Sequence, residues 1–417
     1  MAKPRLLQIT HAYYNRGGVE EHVKALATLL EKEIEIATLS PCRPNDENRH
    51  YQLLIKNIPL QFYPATPISW PITPLRNEES EIAVHSAIQL FRPNIIHVHH
   101  IHHWHLGLLE QLYSYKLPVI MSFHDYYVLT PHFTMEYAPE LELSEEIINS
   151  EENSSSSENG PGFLTTRTYS ERIFGTDISV YLKERMTYLS RQISEIDLRI
   201  VPSESAKKEF ARFFSIPFEV IPHGIDLMTD ISIIKPDKNF TLNNSANPPL
   251  RFGYIGSLIR QKGWHILLKA FTEARAQNRT IELHLFGGGD ILFERLPDGI
   301  YYHGKYRPSD LISILSRFDI GIIPSIFKET FSYTLSELLS AKKPVIVSSI
   351  GALRDRITDK KNGILVQPDN VQELTSAILW MAENGLTHKW ELTEVRTSED
   401  MAKEYLEIYK NHLTPTE

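Results

Sequence analysis

RLLQITHAYYNRGGVEEHVKALATLL, residues 5–30, carries the pattern from which the fold is read. Arg5–Thr10 is a short apolar run that predicts a buried strand. Val19, Val23, Ala27 and Leu30 recur at helical spacing, so Val19–Leu30 is expected to be a helix. HAYYNRGG lies between them and puts Gly17-Gly18 at the start of that helix. Asn94–Val98, Val119–Phe123 and Leu198–Pro202 repeat the buried-strand pattern, with helical patterns between them and a further helix over Ser205–Phe214. Such alternation argues for a doubly wound parallel sheet.

A second alternating series begins at Leu250. It runs through strand RFGYIG, helix His265–Ala276, strand IELHLFG, helix Pro308–Ser316, strand IGIIPS, helix Tyr333–Ser340 and strand PVIVSS. The last pattern, Ser398–Leu413, places Met401, Tyr405, Ile408 and Tyr409 on one helical stripe. The expected architecture is α/β with two Rossmann-like halves. A cleft between them, at the carboxyl ends of the strands, is the default ligand site. EVIPHGID and the polar stretch up to Pro249 form the candidate interdomain linker. Glu136–Gly162 breaks the pattern with eight glutamates and the run Ser154–Ser157, and 141–162 is read as an exposed, mobile acidic insertion.

At 417 residues the chain can bury large cores without disulfides, and Cys42 is its only cysteine. A disulfide framework and a Cys-based zinc site are both excluded, which fits a reducing compartment. The net charge of −9 argues against a dedicated nucleic-acid binder. No apolar run is long enough to span a membrane, and the N-terminus lacks the apolar core of a signal peptide. A cytoplasmic protein is expected.

Two segments suit chemistry on an anionic ligand. In FGYIGSLIRQKGWHILLKAF (252–271) a strand ends at Gly256, and a loop carrying Ser257, Arg260 and Lys262 leads through Gly263 into a helix. Backbone amides at a helix start, together with two cations, suit a diphosphate. In PSIFKETFSYTLSELLSAKKPVIVSS (324–349) Glu329 follows a strand and Glu337 lies a little over two helical turns further on. The small residues Thr330, Ser332 and Thr334 would let the helix N-terminus approach an anion closely. Taken alone, each pattern is more often plain solvated surface.

The order of segments adds to this. Gly17-Gly18 is followed by HDYYVLTP (124–131), VPSESAKKEF (201–210), IPHGID (221–226), GSLIRQKG (256–263), LFGGGD (285–290) and the long block 303–368. This order resembles glycosyltransferase family 4, retaining nucleotide-sugar transferases of GT-B fold, and is most specific over residues 250–380. The resemblance implies an N-terminal acceptor domain over 1–222, a donor domain over 223–390, and a C-terminal helix within 391–417 that packs back on the first domain. It implies a catalytic set of His124 near the donor sugar, Lys262 on the phosphate and Glu329 beside the sugar. Glu337 would hold the ribose hydroxyls, and Tyr306 would touch the base. Gly18, Gly256, Ser257, Arg260, Thr330, Phe331, Ser332, Tyr333 and Thr334 would complete the donor site. It further implies sugar transfer from a nucleoside diphosphate to a hydroxyl of a glycan or lipid-linked acceptor, with no metal or other cofactor. Peripheral membrane contact through the first domain is open.

Three positions depart from the family pattern. Ser257 stands where an arginine is common, Ser332 where a glycine is common, and Gly351-Ala352 with Asp355 where Gly-Gly and Glu are common. They leave a second class open: a GT-B protein that binds a nucleotide sugar or a partner without transfer. HVHHIHHWH (97–105) competes as a metal motif, with His97 and His99 expected on one strand face. It contains no HExxH and no carboxylate, so a cleft-lining role without metal is expected, any bound metal being incidental. Gly287–Asp290 is read as a turn. Lys207, Lys208, Arg212, Phe213 and Phe214 are read as core aromatics with a solvated basic face, or else as a membrane-surface helix. Neither a P-loop nor a GxSxG elbow is present.

Overall fold

The computed structural model describes residues 3–14, 17–42, 50–56, 58–64, 68, 71–134, 171, 175–226, 249–289, 295–391 and 393–413. The expected acidic insertion 141–162 lies outside them, as does most of the expected linker. The chain forms two units, one of residues 1–224 with 398–417 and the other of residues 225–397. The division therefore falls at Gly224/Ile225 and Thr397/Ser398, where sequence placed it at 222 and 390. Ile225 and Thr397 form a parallel bridge, so incoming and outgoing chain are paired within the second unit.

The first unit holds an eight-stranded sheet of β1 (Arg5–Ile9), β2 (Glu35–Pro41), β3 (His50–Ile55), β4 (Ile58–Pro64), β5 (Ile95–Val98), β6 (Val119–Ser122), β7 (Leu198–Val201) and β8 (Glu219–Val220). Their order is β4-β3-β2-β1-β5-β6-β7-β8. β3 runs antiparallel to both β2 and β4, a departure from the all-parallel sheet expected, and the remaining pairs are parallel. The central strands are buried on both faces, which is why they read as continuous apolar runs. Leu7, Ile9, Ile96 and Val98 enter one core, and the alternate residues Leu6, Ile95, Ile120 and Ile200 enter the other. Helix Ser398–Leu413 covers this second face with Met401, Tyr405 and Tyr409.

The second unit holds a six-stranded, wholly parallel sheet of β9 (Leu250–Ile255), β10 (Ile281–Phe286), β11 (Ile300–Tyr302), β12 (Ile320–Ile323), β13 (Val345–Ser348) and β14 (Ile364–Val366). Their order is β11-β10-β9-β12-β13-β14. Gly253 and Gly321 sit mid-strand because a Cβ at either would run into Phe318 or Leu338, respectively, packed on the sheet. The helix expected over Pro308–Ser316 divides into a 3₁₀ turn, Pro308–Asp310, and the short helix Leu311–Leu315. Among the described residues no helix is long and apolar enough to cross a membrane.

Candidate active site

β9 and β12 are neighbours in the second sheet although β10 and β11 lie between them in the chain. The loops leaving their carboxyl ends are therefore side by side, the position at which open α/β sheets bind ligands. Glycine permits their close approach. Gly263 has a φ of +69°, and a Cβ there would sit 1.8 Å from the Pro324 carbonyl oxygen. Across the same seam the Ile326 N–H donates to the Gln261 carbonyl at 2.8 Å.

That seam sets Lys262 against Glu329. Lys262 Nζ donates to Glu329 Oε1 at 3.0 Å and lies 5.0 Å from the Phe327 ring centroid. The Ser325 hydroxyl donates to the same carboxylate oxygen, and Glu329 is buried. Burial pushes the Glu329 carboxyl up, but the charge of Lys262 and hydrogen bonds from Ser325, Lys262 and Ser332 outweigh it. The net direction is down, so Glu329 is ionised at neutral pH. Its backbone is braced from the next loop. The Ala352 N–H donates to the Glu329 carbonyl at 2.9 Å, and Gly351, at φ +54°, approaches too closely for a Cβ.

Helix Tyr333–Ser340 begins immediately after this loop, with Ser332 as its N-cap. Ser332 has a φ of +71°, a region that favours glycine, at the position where the family pattern has glycine. Arg356 holds this turn in place. Its Nη1 donates to the carbonyls of Phe331 at 3.3 Å and Ser332 at 3.2 Å, and its Nη2 to Ser336 Oγ at 2.8 Å. Burial lowers the Arg356 pKa to about 10 against the opposing pull of Glu329, so it remains charged at neutral pH. Phe331 is buried under the guanidinium, and Thr330, Tyr333 and Thr334 are half-buried at the helix start.

Glu337 lies within that helix, and burial raises its carboxyl to about 7. Tyr306 feels its charge; burial first and Glu337 second push the Tyr306 hydroxyl up to about 12. Gly256 ends β9 against Gly287, whose Cβ would collide with the Gly256 carbonyl. The 287–289 glycines follow β10 as irregular chain, with no turn among them, and pack on the 256–258 loop, with the Leu258 N–H donating to the Gly288 carbonyl at 2.8 Å. Asp290 lies outside the described residues. Ser257 is exposed, and Arg260 is exposed at the first position of a short 3₁₀ turn with no side-chain ion pair among the described residues.

The remaining expected residues lie in the first unit. Gly18 is the exposed first residue of helix Gly18–Leu29. His124 is buried just beyond β6, its Nε2 3.2 Å from His99 Nδ1 and its Nδ1 3.3 Å from His223 Nε2. Of the 97–105 histidines, His97 and His99 do share a face, with ring centroids 3.8 Å apart, although β5 ends at Val98. The membrane-surface reading of 207–214 gives way to the core reading. Phe214 is buried, Phe213 packs half-buried against the same core, and Arg212 pairs with Glu209 at 2.9 Å.

Sequence reasoning passed over Arg356. Its only local signal is the RDR run, and its partners lie 20 to 25 residues away. It also passed over His22 and His223, which join His124 only through the fold.

Residues 16–228 match the family described as Glycosyltransferase Family 4, and residues 249–384 match Glycosyl transferases group 1. The chain belongs to glycosyltransferase family 4. An uncharacterised family relative from Methanocaldococcus jannaschii is 27% identical over 250 residues, 54% of this chain and 61% of that protein. A phosphatidyl-myo-inositol mannosyltransferase of Propionibacterium freudenreichii is 26% identical over 172 residues, 41% of this chain and 43% of its own length. The chain thus spans less than two thirds of the length of these curated relatives. Among solved structures, sucrose-phosphate synthase of Thermosynechococcus elongatus superposes with a TM-score of 0.65 at 16% identity, covering 98% of this chain and 99% of its own. Starch synthase IV of Arabidopsis thaliana, bound to ADP and acarbose, gives 0.62 at 15% identity, covering 99% and 100%. The fold of this chain is GT-B.

Proposed function

We propose that this glycosyltransferase is a retaining enzyme that moves a sugar from a nucleoside diphosphate to a hydroxyl of a glycan or lipid-linked acceptor, with no metal in the transfer step. The observation that carries the reading is the Lys262–Glu329 pair, 3.0 Å apart at the carboxyl ends of β9 and β12. Breaking a glycosyl phosphate bond leaves an anionic diphosphate and a cation-like sugar. Preorganised donors aimed at the departing phosphate are the main resource for that step.

Lys262 and the amides at the start of helix Tyr333–Ser340 would stabilise the leaving diphosphate. Ionised Glu329 would lie beside the cation-like sugar and hold Lys262 in position, rather than act as a nucleophile. Glu337, once ionised, would accept hydrogen bonds from the ribose hydroxyls, with Tyr306 nearby for the base. The departing phosphate itself would take the proton of the incoming hydroxyl. Contact with a membrane, as a lipid-linked acceptor requires, would fall to exposed apolar side chains such as Ile58, Leu60 and Phe62 on β4.

Solved relatives carry UDP or ADP, so UDP- and ADP-sugars head the panel to test by thermal stabilisation without metal, with GDP-sugars alongside. A ligand at about 100 times its Kd adds roughly 2.7 kcal/mol. A shift with one base, followed by an acceptor product that keeps the anomeric configuration of the donor, supports the proposal. Exposed Ser257 and strained Ser332 favour the second reading, a binder without transfer. Stabilisation by a nucleotide sugar with no product on any acceptor would select it. Absence of any nucleotide shift would remove the donor site itself.

A further inference from the structure

The first sheet has a switch point of its own, between β1 and β5, and imidazoles from four segments converge there. His22 comes from the helix after β1, His99 from just past β5, His124 from just past β6, and His223 from beyond β8. The rings of His22, His124 and His223 form a triangle with centroid separations of 4.7, 4.7 and 5.0 Å. One nitrogen of each lies within 4.8 Å of those of the other two, and all three residues are buried.

Hydrogen bonding accounts for only part of this cluster. Neighbouring His97 is satisfied on both nitrogens, with the Tyr409 hydroxyl at 2.7 Å and the Ser122 hydroxyl at 2.8 Å. His22 is not: both of its nitrogens are buried with no partner, as is Nε2 of His99. Leaving such groups unpaired is unfavourable, and a bound ion that takes their lone pairs would remove that cost. His124 Nδ1 and His223 Nε2 are 3.3 Å apart. A tetrahedral ion with metal–nitrogen bonds of about 2.0–2.1 Å spaces its ligands at about that distance.

We propose that His22, His124 and His223 form a transition-metal site, with zinc the ion best suited to it. A cluster of neutral imidazoles suits zinc and its neighbours, whereas magnesium and calcium require oxygen ligands. His99 hydrogen-bonds the far nitrogen of His124 and so fixes the ring with Nδ1 toward the ion. The fourth position falls to water or to His99 Nε2 after a ring movement. The bound ion ties the helix after β1 to the segments after β6 and β8, joining three stretches distant in sequence. This inference rests on the imidazole geometry and not on the transferase reading, and it gives His124 a structural role in place of the catalytic one that the family resemblance implies.

The test uses the full chain purified without chelator, dialysed against zinc and then desalted. Elemental analysis is expected to find about one ion per chain, and chelation to lower Tm. Cobalt loading is expected to give the visible absorption of a four-coordinate site. His22→Ala and His223→Ala should each lose the ion, and His85→Ala, at an exposed histidine, should keep it. If His22→Ala fails to fold, the wild-type ion count and its chelator-dependent Tm decide the matter. Wild-type protein that retains no stoichiometric ion, or a folded His22→Ala protein that retains it, overturns the proposal.

Discussion

The two sheets reverse strand order at comparable places and fill those places with opposite chemistry. Between β9 and β12 stands an ion pair, Lys262 with a Glu329 carboxyl held below its ordinary pKa. Between β1 and β5 stand imidazoles that burial keeps neutral, His97 at a pKa of about 3. A charged, half-open pair can meet an anionic ligand and exchange one partner for another. Without an ion, a buried cluster of neutral rings offers no charge to a departing diphosphate. On the two proposals made above, the same topological feature would serve anion chemistry in the second unit and hold segments together in the first.

Removing Lys262 tests this contrast most severely. Lys262→Ala is expected to lower kcat/KM by an amount equivalent to about 2.7–4 kcal/mol, as for loss of one preorganised donor. Tm should fall as well, since buried Glu329 loses its cation, so turnover is compared on protein shown to be folded. Near wild-type turnover would break the comparison.

Glu337 provides a pH test within the charged site. Its folded pKa of about 7 lies above its ordinary value of 4.5, so the folded state holds a proton that the unfolded chain releases. Stability should therefore fall as pH rises from 4.5 to 7, at up to about 1.4 kcal/mol per pH unit from this group. Glu337→Gln should flatten that slope in urea titrations at several pH values. Nucleotide affinity of the wild type should rise over pH 6–8 as the carboxylate forms, and that rise should vanish in the variant.

Arg356→Ala frees the Phe331 and Ser332 carbonyls and Ser336 Oγ. A loss of about 1–3 kcal/mol in stability is expected from these orphaned groups. KM for the donor should rise as the turn at Ser332 loosens, and Arg356→Lys should restore stability only in part because it lacks the fork. In the neutral site, Tyr409→Phe removes the hydroxyl that His97 Nδ1 meets at 2.7 Å. It should cost about 1 kcal/mol in denaturant and leave nucleotide binding unchanged.

The sheets were legible because their strands are buried on both faces and so read as unbroken apolar runs between helical patterns. Helices Tyr333–Ser340 and Ser398–Leu413 fall where periodicity put them. The antiparallel hairpin β3–β4 escaped, since at the sheet edge its alternate residues Ile58, Leu60 and Phe62 are exposed and mimic no buried run. Glu329 and Glu337 were found through segment order, because their spacing alone is common on solvated helices. Arg356, His22 and His223 act through contacts that no local window contains. His22 looks like one more polar residue in an amphipathic helix until the fold brings β6 and β8 beside it.

Helix Ser398–Leu413 separates the folding histories of the two units. The second unit is continuous from 225 to 397, whereas the first lacks part of its core until 398–413 has been made. Met401, Tyr405 and Tyr409 cover Leu6, Ile95 and Ile120, residues synthesised far earlier. At about 5–20 residues per second, the ribosome leaves that apolar face partly bare for on the order of ten seconds or more while the second unit emerges. The nascent first unit therefore exposes apolar surface of the kind that holding chaperones cover, while the second can close its sheet from its own residues.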